Sequence, residues 1–538
     1  MVTLFFFSLP QRLFSLAWRP LKFSAGQSKP LNFSTFKLTG LEPTGAPSSG
    51  VVAVEKKKLK RAVLETLLVH SGMTANYWST YGNWIEDWQF ELTWEDQRKK
   101  WFTSEGNRLD SNCFVTNAVH LLHGAAFFNF SRTNHLDWRA SFLFALAGSL
   151  AWEYTTEWRE IVAINDNLAT TFGGLAVGEG LFQLASHFDR RPGLANRVLS
   201  FIFDPILSLN NWLDKKANRP SRTGFIAGED GRHEIRFFLG QQNVGDNLTG
   251  EPTSRFNFGF EGQLVRIPEY GQPGQSKRWI KDTLFSELFA ETTVSGEGFE
   301  EISAHTRSVL CGFFQQRLIA QANDQPRGTA FYVGLGSGIE FYKKRSLIWY
   351  DSCPRGLSDP RFERPRPLQF SDKLTVVNIA GPEFHLTRFR PRLTIGINAG
   401  LSLDFAMINS LALNRYSLDH PVGDIKTTLM SWGYYYGWGY TARVEFQVGY
   451  DHLELNGRIS YQRYDSIEGL DRFQDLVSDD FNIIDSRLVY KLNLGIQLPR
   501  TPVKAMLALE GVERHGRIKD VAVREFEPRV YYQLCFLF

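Results

Sequence analysis

Three short apolar segments between positions 113 and 214 carry the residues best suited to chemistry. Imidazoles lie in the first segment, and carboxylates lie in the second and third. Residues three and four apart share one face of a helix, so each segment would present a polar strip. Converging strips would form a His/carboxylate pocket, which could bind a divalent metal or perform general acid–base chemistry. The candidate pocket residues are His120, His123, Arg132, Glu153, Glu157, Asp166 and Glu179.

A structural interpretation of these residues stands beside the chemical one. A single histidine such as His120 or His123 is commonly a hydrogen-bonded packing residue. Glu153 and Glu157 could pair with Arg132, Arg139 or Arg159. The sequence therefore leaves open whether the pocket is catalytic, metal-binding or structural, and it assigns no cofactor.

The order of these residues resembles a bacterial envelope family catalogued as domain of unknown function 3943. The family shows His-Pro-x-x-Gly, an Arg, Trp-Glu-Tyr with a further Glu, Ser-x-x-Asp, a Gly, Gly-Glu and Asn/Asp-Pro. The present chain differs at Leu121, where Pro is usual, and at Ala163, where Ser is usual. The resemblance implies an envelope protein with a helical module of unknown biochemistry. The matching residues are His120, His123-Gly124, Arg132, Trp152-Glu153-Tyr154, Glu157, Asp166, Gly174, Gly178-Glu179 and Asp204-Pro205.

Helical periodicity extends over the region that contains these residues. A first helix is predicted from Leu59 to about Trp78. Gly174 and Gly178 form a small-xxx-small pair that would let two helices approach closely. Asp137 is a plausible helix cap. The later helices are predicted at about 113–131, 137–160, 163–188 and 193–214, with an interruption at Asp204-Pro205.

After about residue 230 the period changes to two, which indicates β-strands. In Leu393–Phe405, every odd residue is apolar and every even residue is small or polar. Such runs exceed the usual globular strand of about 5–6 residues and match the roughly 9–11 that cross a bilayer. Twelve strands are predicted near 233–241, 255–266, 283–293, 305–321, 328–342, 373–387, 392–405, 437–451, 453–464, 485–498, 502–514 and 526–538.

The predicted connections alternate between short turns and long loops at 343–372, 406–436 and 465–484. Outer-membrane barrels have short periplasmic turns and long outer loops. The chain ends in alternating apolar residues and an aromatic Phe538, which resembles the signature recognised by the barrel-assembly machinery of Gram-negative bacteria. Charged residues of both signs at predicted inward positions fit a hydrated or salt-bridged lumen better than a selective ring.

Composition narrows the class of protein further. The 60 Lys+Arg and 57 Asp+Glu residues give a net charge of +3, which is too even to indicate a nucleic-acid partner. Aromatic residues make up 14% of the chain, as expected where side chains meet lipid.

Residues 1–57 read as an export signal and linker, although Arg12 interrupts the apolar core. His305 and Ser308 form a weaker candidate pair for a lipid hydrolase.

Together these patterns predict an α+β membrane protein in the bacterial outer membrane. A helical domain at 58–215, periplasmic or within the barrel lumen, precedes a transmembrane antiparallel β-barrel of about twelve strands at 230–538. A channel or envelope-structure role is the leading hypothesis. An enzyme that acts on lipid through the helical pocket, and a protein that binds a partner through its long loops, are the alternatives. Outer-membrane lipid and the barrel-assembly machinery are the expected partners.

Overall fold

The computed structural model describes residues 56–80, 89–214, 232–245, 252–296, 298–320, 326–344, 371–420, 422 and 424–538. The predicted export signal and nearly all of the predicted linker lie outside the described residues, as does most of the predicted loop 343–372.

The helical region forms much as the periodicity predicts. Asp137 caps its helix by accepting a hydrogen bond from the Ala140 backbone N–H at 3.1 Å. The predicted interruption at Asp204-Pro205 is a cap with proline at the first turn, where its missing N–H costs nothing. Two single π-helical turns, Trp152–Thr156 and Ala169–Gly173, interrupt the regular helices. The helices are α1 (Leu59–Thr80), α2 (Trp94–Phe102), α3 (Phe114–Arg132), α4 (Trp138–Ala151), α5 (Ile164–Leu168), α6 (Gly174–Asp189), α7 (Leu194–Phe203) and α8 (Pro205–Leu213).

A helix that crosses a membrane must be long and apolar. No helix in the described part of the chain meets both conditions.

Twelve antiparallel strands close into a barrel, which confirms the predicted fold class. Each strand pairs with its neighbour along the chain, and the ring closes where the last strand pairs with the first. A short strand, Gly274–Ile280, was not predicted and pairs with the end of the fourth strand. The barrel strands are β1 (Arg232–Gly245), β2 (Pro252–Val265), β3 (Phe285–Ser295), β4 (Gly298–Ile319), β5 (Arg327–Lys344), β6 (Lys373–Arg390), β7 (Leu393–Asn409), β8 (Tyr434–Tyr450), β9 (Leu453–Ser466), β10 (Ile483–Gln497), β11 (Val503–Ile518) and β12 (Val521–Leu537).

The two ends of the barrel differ in their connections. One end, called here the loop end, carries the connections 410–433 and 467–482. The other, called the turn end, carries the short turns 391–392, 451–452 and 498–502 together with the last residue. A segment at 266–284 also emerges at the turn end. By the usual rule for outer-membrane barrels, the turn end would face the periplasm.

Ion pairs between strands that are not neighbours identify the inward face of the wall. Arg307 on β4 lies 3.2 Å from Glu445 on β8. Arg529 on β12 lies 3.2 Å from Glu301 on β4. Such pairs can form only across the barrel interior, and side chains alternate between faces along each strand. The mixed charges therefore form a salt-bridged lumen.

Segments from both ends fold into this interior. At the loop end, the helices α9 (Leu413–Asp419) and α10 (Thr427–Trp432) pack an apolar cluster on the inward side chains Leu374 and Tyr435. At the turn end, Ile267 and Tyr270 pack on Phe314 and other inward residues. A cavity of about 270 Å³ lined mainly by polar and charged residues lies in the interior.

The helical region contacts the opposite, outward face of the wall. Ile339 lies next to inward Glu340 on β5 and therefore points outward, and it packs against Ala176 and Val177 of α6. Phe114 of α3 likewise packs on outward Phe405 of β7. These contacts do not agree with a plug inside the lumen.

Candidate functional site

The helices α3 and α6 cross at two glycines that bring their backbones together. A Cβ atom built at Gly124 would lie 1.7 Å from the Thr170 carbonyl oxygen. A Cβ atom built at Gly174 would lie 2.5 Å from the Gly124 carbonyl carbon. Only hydrogen fits at either position. The crossing sets the polar residues of α3 beside those of α5 and the π turn that follows it.

At the loop end, four buried or nearly buried residues form what we call the acid cluster: Asp110, His120, Glu153 and Asp166. His120 Nε2 lies 3.5 Å from Asp166 Oδ2. The Asn165 side-chain amide donates to Asp166 Oδ1 at 2.8 Å. Glu153 accepts a hydrogen bond from the Ala163 backbone N–H at 2.7 Å. Glu153 itself lies in the π turn Trp152–Thr156, and π turns often occur at functional positions.

Burial controls the protonation of the acid cluster. Desolvation, followed by the charge of Asp166, raises the pKa of Glu153 well above its ordinary value. Desolvation, followed by the charge of Asp110, raises the pKa of Asp166 in the same way. Desolvation lowers the pKa of His120 to about 4. At neutral pH the imidazole is therefore neutral, and the raised pKa values of Glu153 and Asp166 favour the protonated form of these two carboxyls.

The metal interpretation of the pocket needs at least three ligands around one point. Within the described ranges, no group of three or more His, Cys, Asp or Glu residues is arranged to hold a metal ion.

A residue far away in sequence connects the acid cluster to the barrel. Arg472, in the connection between β9 and β10, places Nη1 2.8 Å from Asp110 Oδ1. Its Nη2 lies 3.3 Å from Glu160 Oε2. On the wall itself, the Asn117 amide donates to the hydroxyls of Tyr434 and Tyr436 at 2.7 and 2.6 Å. The acid cluster thus lies between the helical region and the loop end of the barrel.

Two further candidate residues, His123 and Glu157, lie outside the acid cluster. The rings of His120 and His123 are 5.6 Å apart, and desolvation lowers the pKa of His123 to about 3. Glu157 accepts a hydrogen bond from Trp152 Nε1 at 2.7 Å. Arg159, which the sequence offered as a partner for these glutamates, pairs with Glu91.

Arg132 and Glu179 form a second group at the turn end, called here the arginine cluster. Two guanidinium nitrogens of Arg132 lie 2.9 and 3.1 Å from the Glu179 carboxylate. Asp282 lies 2.9 Å from the same guanidinium, and Thr283 donates to Glu179 at 2.7 Å. Burial alone would raise the pKa of Glu179, but Arg132 holds it below its ordinary value. A helix rises about 1.5 Å per residue, so Arg132 lies roughly 18 Å along α3 from His120. The candidate residues therefore form two groups instead of one pocket.

His305 and Ser308 do not form a hydrolase pair. They are three residues apart on β4, so they point to opposite faces of the wall. His305 lies on the inward face, 3.7 Å from Glu287. Ser308 lies on the outward face, where its hydroxyl is 3.2 Å from that of Ser286.

Sequence reasoning missed part of this arrangement. The tyrosine partners of Asn117 lie more than three hundred residues further along the chain. Asp110 and Arg472 carried no local signal, because one precedes the helical segments and the other lies in a loop. Only the folded barrel brings them together.

The closed barrel with an apolar outward face and a charged interior defines an outer-membrane β-barrel protein with an N-terminal helical region. Residues 106–206 match the model of the family described as Domain of unknown function (DUF3943), which confirms the resemblance found in the sequence. None of the curated proteins matches the chain.

Several solved structures share similarity with the chain at low identity. The TodX monoaromatic hydrocarbon channel deltaS2 mutant is 8% identical with a TM-score of 0.22, covering 58% of this chain and 91% of that one. The translocator domain of the autotransporter NalP from Neisseria meningitidis is 10% identical with a TM-score of 0.19, covering 62% and 98%. OccK2 (OpdF) from Pseudomonas aeruginosa is 9% identical with a TM-score of 0.17, covering 58% and 99%.

Glu153→Gln is expected to raise the melting temperature more at pH 8 than at pH 5. The folded protein keeps on Glu153 a proton that the unfolded chain loses near its ordinary pKa of 4.5. The stabilisation from this raised pKa is complete below that value and is lost as the pH rises toward the folded pKa. Glutamine does not titrate, and it keeps an oxygen for the Ala163 N–H.

Thermal unfolding in micelles, followed by tryptophan fluorescence at the two pH values, measures this difference. The control is Glu95→Gln on the exposed side of α2, which should change neither melting temperature. An equal gain from Glu153→Gln at both pH values would contradict the prediction.

Proposed function

We propose that this protein is an outer-membrane β-barrel with an envelope-structure role, in which the barrel anchors the helical region and its interior is not an open diffusion path. This proposal rests on what fills the interior of the barrel. Charged side chains pair across it, and segments from both ends fold into it.

The cross-lumen pairs favour a closed resting state. Arg307 bridges Glu287 on β3 at 2.7 Å and Glu445 on β8 at 3.2 Å. Arg529 also donates to the Tyr342 hydroxyl at 2.8 Å. A selective pore would present unpaired charge of one sign to a passing solute. Here the charges bind one another, and the cavity of about 270 Å³ is smaller than most ligand sites.

A second candidate is a channel that opens when the 410–433 segment moves. This candidate is favoured because the segment that closes the loop end is the connection between β7 and β8, which is not part of the barrel wall. Its contacts are apolar, with Leu413 and Leu429 packed on Leu374 and Tyr435. A gate made by the helical domain is less well supported, because that domain contacts the outward face of the wall.

The lipid-enzyme alternative has less support than either of these. The carboxylates of Asp110, Glu153 and Asp166 accept hydrogen bonds or pair with neighbouring protein groups. Groups satisfied in this way are typical of structural polar networks. The third alternative, partner binding through long loops, rests partly on residues outside the described ranges.

The full-length protein in planar lipid bilayers should show no steady conductance steps at neutral pH. The double variant Leu413→Ser/Leu429→Ser should show openings if the 410–433 segment is the closure, because it removes apolar contacts in the interior. The matched control is Arg415→Ser/Leu418→Ser, which changes exposed residues of the same segment. Steady open-pore conductance of the wild type would contradict the structural role. A double variant that stays closed would contradict the loop-gated channel.

A further inference from the structure

We propose that the helical domain lies within the membrane plane beside the barrel, with the acyl chains of phospholipids on its outer apolar face and the arginine-flanked helix α7 at headgroup level. This inference depends on the proposed function in one respect, which is that the barrel lies in a membrane. It specifies the partner of the helical surface as lipid.

The first argument is the place that the helices occupy. Outward side chains such as Ile339 and Val377 would contact lipid in a bare barrel. In this structure they are covered by α3 and α6 through Leu121, Ala176 and Val177. The helical domain therefore occupies space that lipid would otherwise fill.

The helical domain also follows the wall over its whole height. At the loop end, Phe114 packs near Phe405 and Met407, close to the last residue of β7. At the turn end, Leu184 and Phe188 pack on Ile235, close to the first residue of β1. A domain that contacts both ends of the outward wall lies beside the barrel, not below it.

The second argument is the character of the surface that faces away from the barrel. Leu122 on α3 is 57% exposed and Leu143 on α4 is 60% exposed. Leu150 follows Leu143 by two helical turns on the same face and is also exposed. Exposed apolar side chains on the barrel wall, such as Leu401, have the same character. The apolar outward band therefore continues from the wall onto the helices.

The third argument is that buried charged and polar side chains of the helical domain have partners within the protein. Arg132 and Glu179 are nearly inaccessible and bind each other, so neither depends on water. Asn117 satisfies both amide hydrogens with tyrosine hydroxyls of the wall. Polar groups at membrane depth need partners inside the protein, and these residues have them.

Helix α7 has the features of an interfacial helix at the turn end. One face packs on the domain through Leu199 and Phe203. The opposite face is apolar and exposed, and basic residues precede and interrupt it, as in helices that lie at the headgroup boundary. Arg191, just before α7, shows that this helix lies at the turn end of the barrel. Its Nη2 lies 2.8 Å from Nε2 of His233 at the start of β1. The exposed apolar residues are Leu194, Val198, Phe201 and Ile202, and the basic residues are Arg191 and Arg197.

Nitroxide labels on single cysteines test the proposal in vesicles of phosphatidylethanolamine and phosphatidylglycerol. All four native cysteines, Cys113, Cys311, Cys353 and Cys535, are first replaced by serine or alanine. Labels are placed at Leu143→Cys and Phe201→Cys, with Leu401→Cys as the wall reference and Asp520→Cys as the exposed-turn reference. Collision rates with oxygen, which partitions into lipid, and with a water-soluble nickel chelate report the surroundings of each label. A gel shift on heating checks that every variant is folded.

The Leu143 label is expected to match the Leu401 label, with oxygen collisions dominant, and the Phe201 label should lie closer to the headgroups. Nickel collisions at Leu143 as frequent as those at Asp520 would place the helices in water and overturn the proposal. Protection from both reagents would show a protein neighbour, such as a second copy, and would also overturn it. A wall label at Leu401 that meets nickel would instead reject membrane insertion of the barrel. Conductance measurements do not enter this test, so failure of the closed-lumen role would be seen separately.

Discussion

Replacing Arg132 with alanine is expected to destabilise the protein by about 3–5 kcal/mol, the usual cost of removing one partner of a buried ion pair. The Arg132 and Glu179 side chains are 2% and 0% exposed, so the substitution leaves a carboxylate buried without its guanidinium. Thr283 can satisfy one carboxylate oxygen but cannot neutralise the charge. Urea unfolding in micelles, followed by tryptophan fluorescence, measures the loss.

A double substitution separates the ion pair from the packing around it. Arg132→Met with Glu179→Leu removes both charges and keeps most of the volume, so it should recover much of the lost stability. Arg98→Ala, on the exposed surface of α2, is the matched control and should change stability by less than about 0.5 kcal/mol. A double variant less stable than Arg132→Ala would show that the buried charge is not the source of the loss.

Gly174→Ala is expected to cost about 1–3 kcal/mol, the typical range for an overpacked site. The new methyl group would lie 2.5 Å from the backbone of Gly124, and backbone atoms cannot move aside as a flexible side chain can. The helices α3 and α6 would have to separate, which would also disturb the contact between His120 and Asp166. The same unfolding measurement applies.

Gly180→Ala provides the same substitution in the same helix at an uncrowded position. Its methyl group would meet the Thr306 side chain at 3.5 Å, an ordinary van der Waals contact. Alanine is favoured over glycine inside helices by roughly 0.5–1 kcal/mol, so this variant should be neutral or more stable. Equal effects at Gly174 and Gly180 would contradict the close-crossing explanation.

The sequence predicts the barrel well because alternation is a local property. Each strand shows its inward and outward residues within its own span, as in Leu393–Phe405, and all twelve predicted strands form. The predicted helical segments form for the same reason, down to the break at Asp204-Pro205, whereas helix α2 (Trp94–Phe102) was not predicted. Strand Gly274–Ile280 escaped prediction because its residues do not alternate.

The relation between the two regions could not be predicted. Helical periodicity shows that α6 has an apolar packing face. The face with Ala176 and Val177 could pack equally well inside the barrel lumen or on the outward face of the barrel wall. The candidate residues were grouped by type, whereas His120 and Arg132 lie at different levels of α3 and contact different partners. Those partners include Asp282, which follows its helix by 150 residues, and spacing along the chain carries no information about it.

The contact between the helices and the outward wall has a consequence for the order of folding. The helical region precedes the barrel, yet the surface that receives it includes β5, β6, β7 and β8, which are synthesised later. Contacts so distant in sequence carry a large loop-closure cost and form late. The helical region, which is synthesised before the barrel strands, therefore reaches its final packing only after them. Until then its apolar side chains need protection from aggregation, a task suited to chaperones that hold unfolded chains.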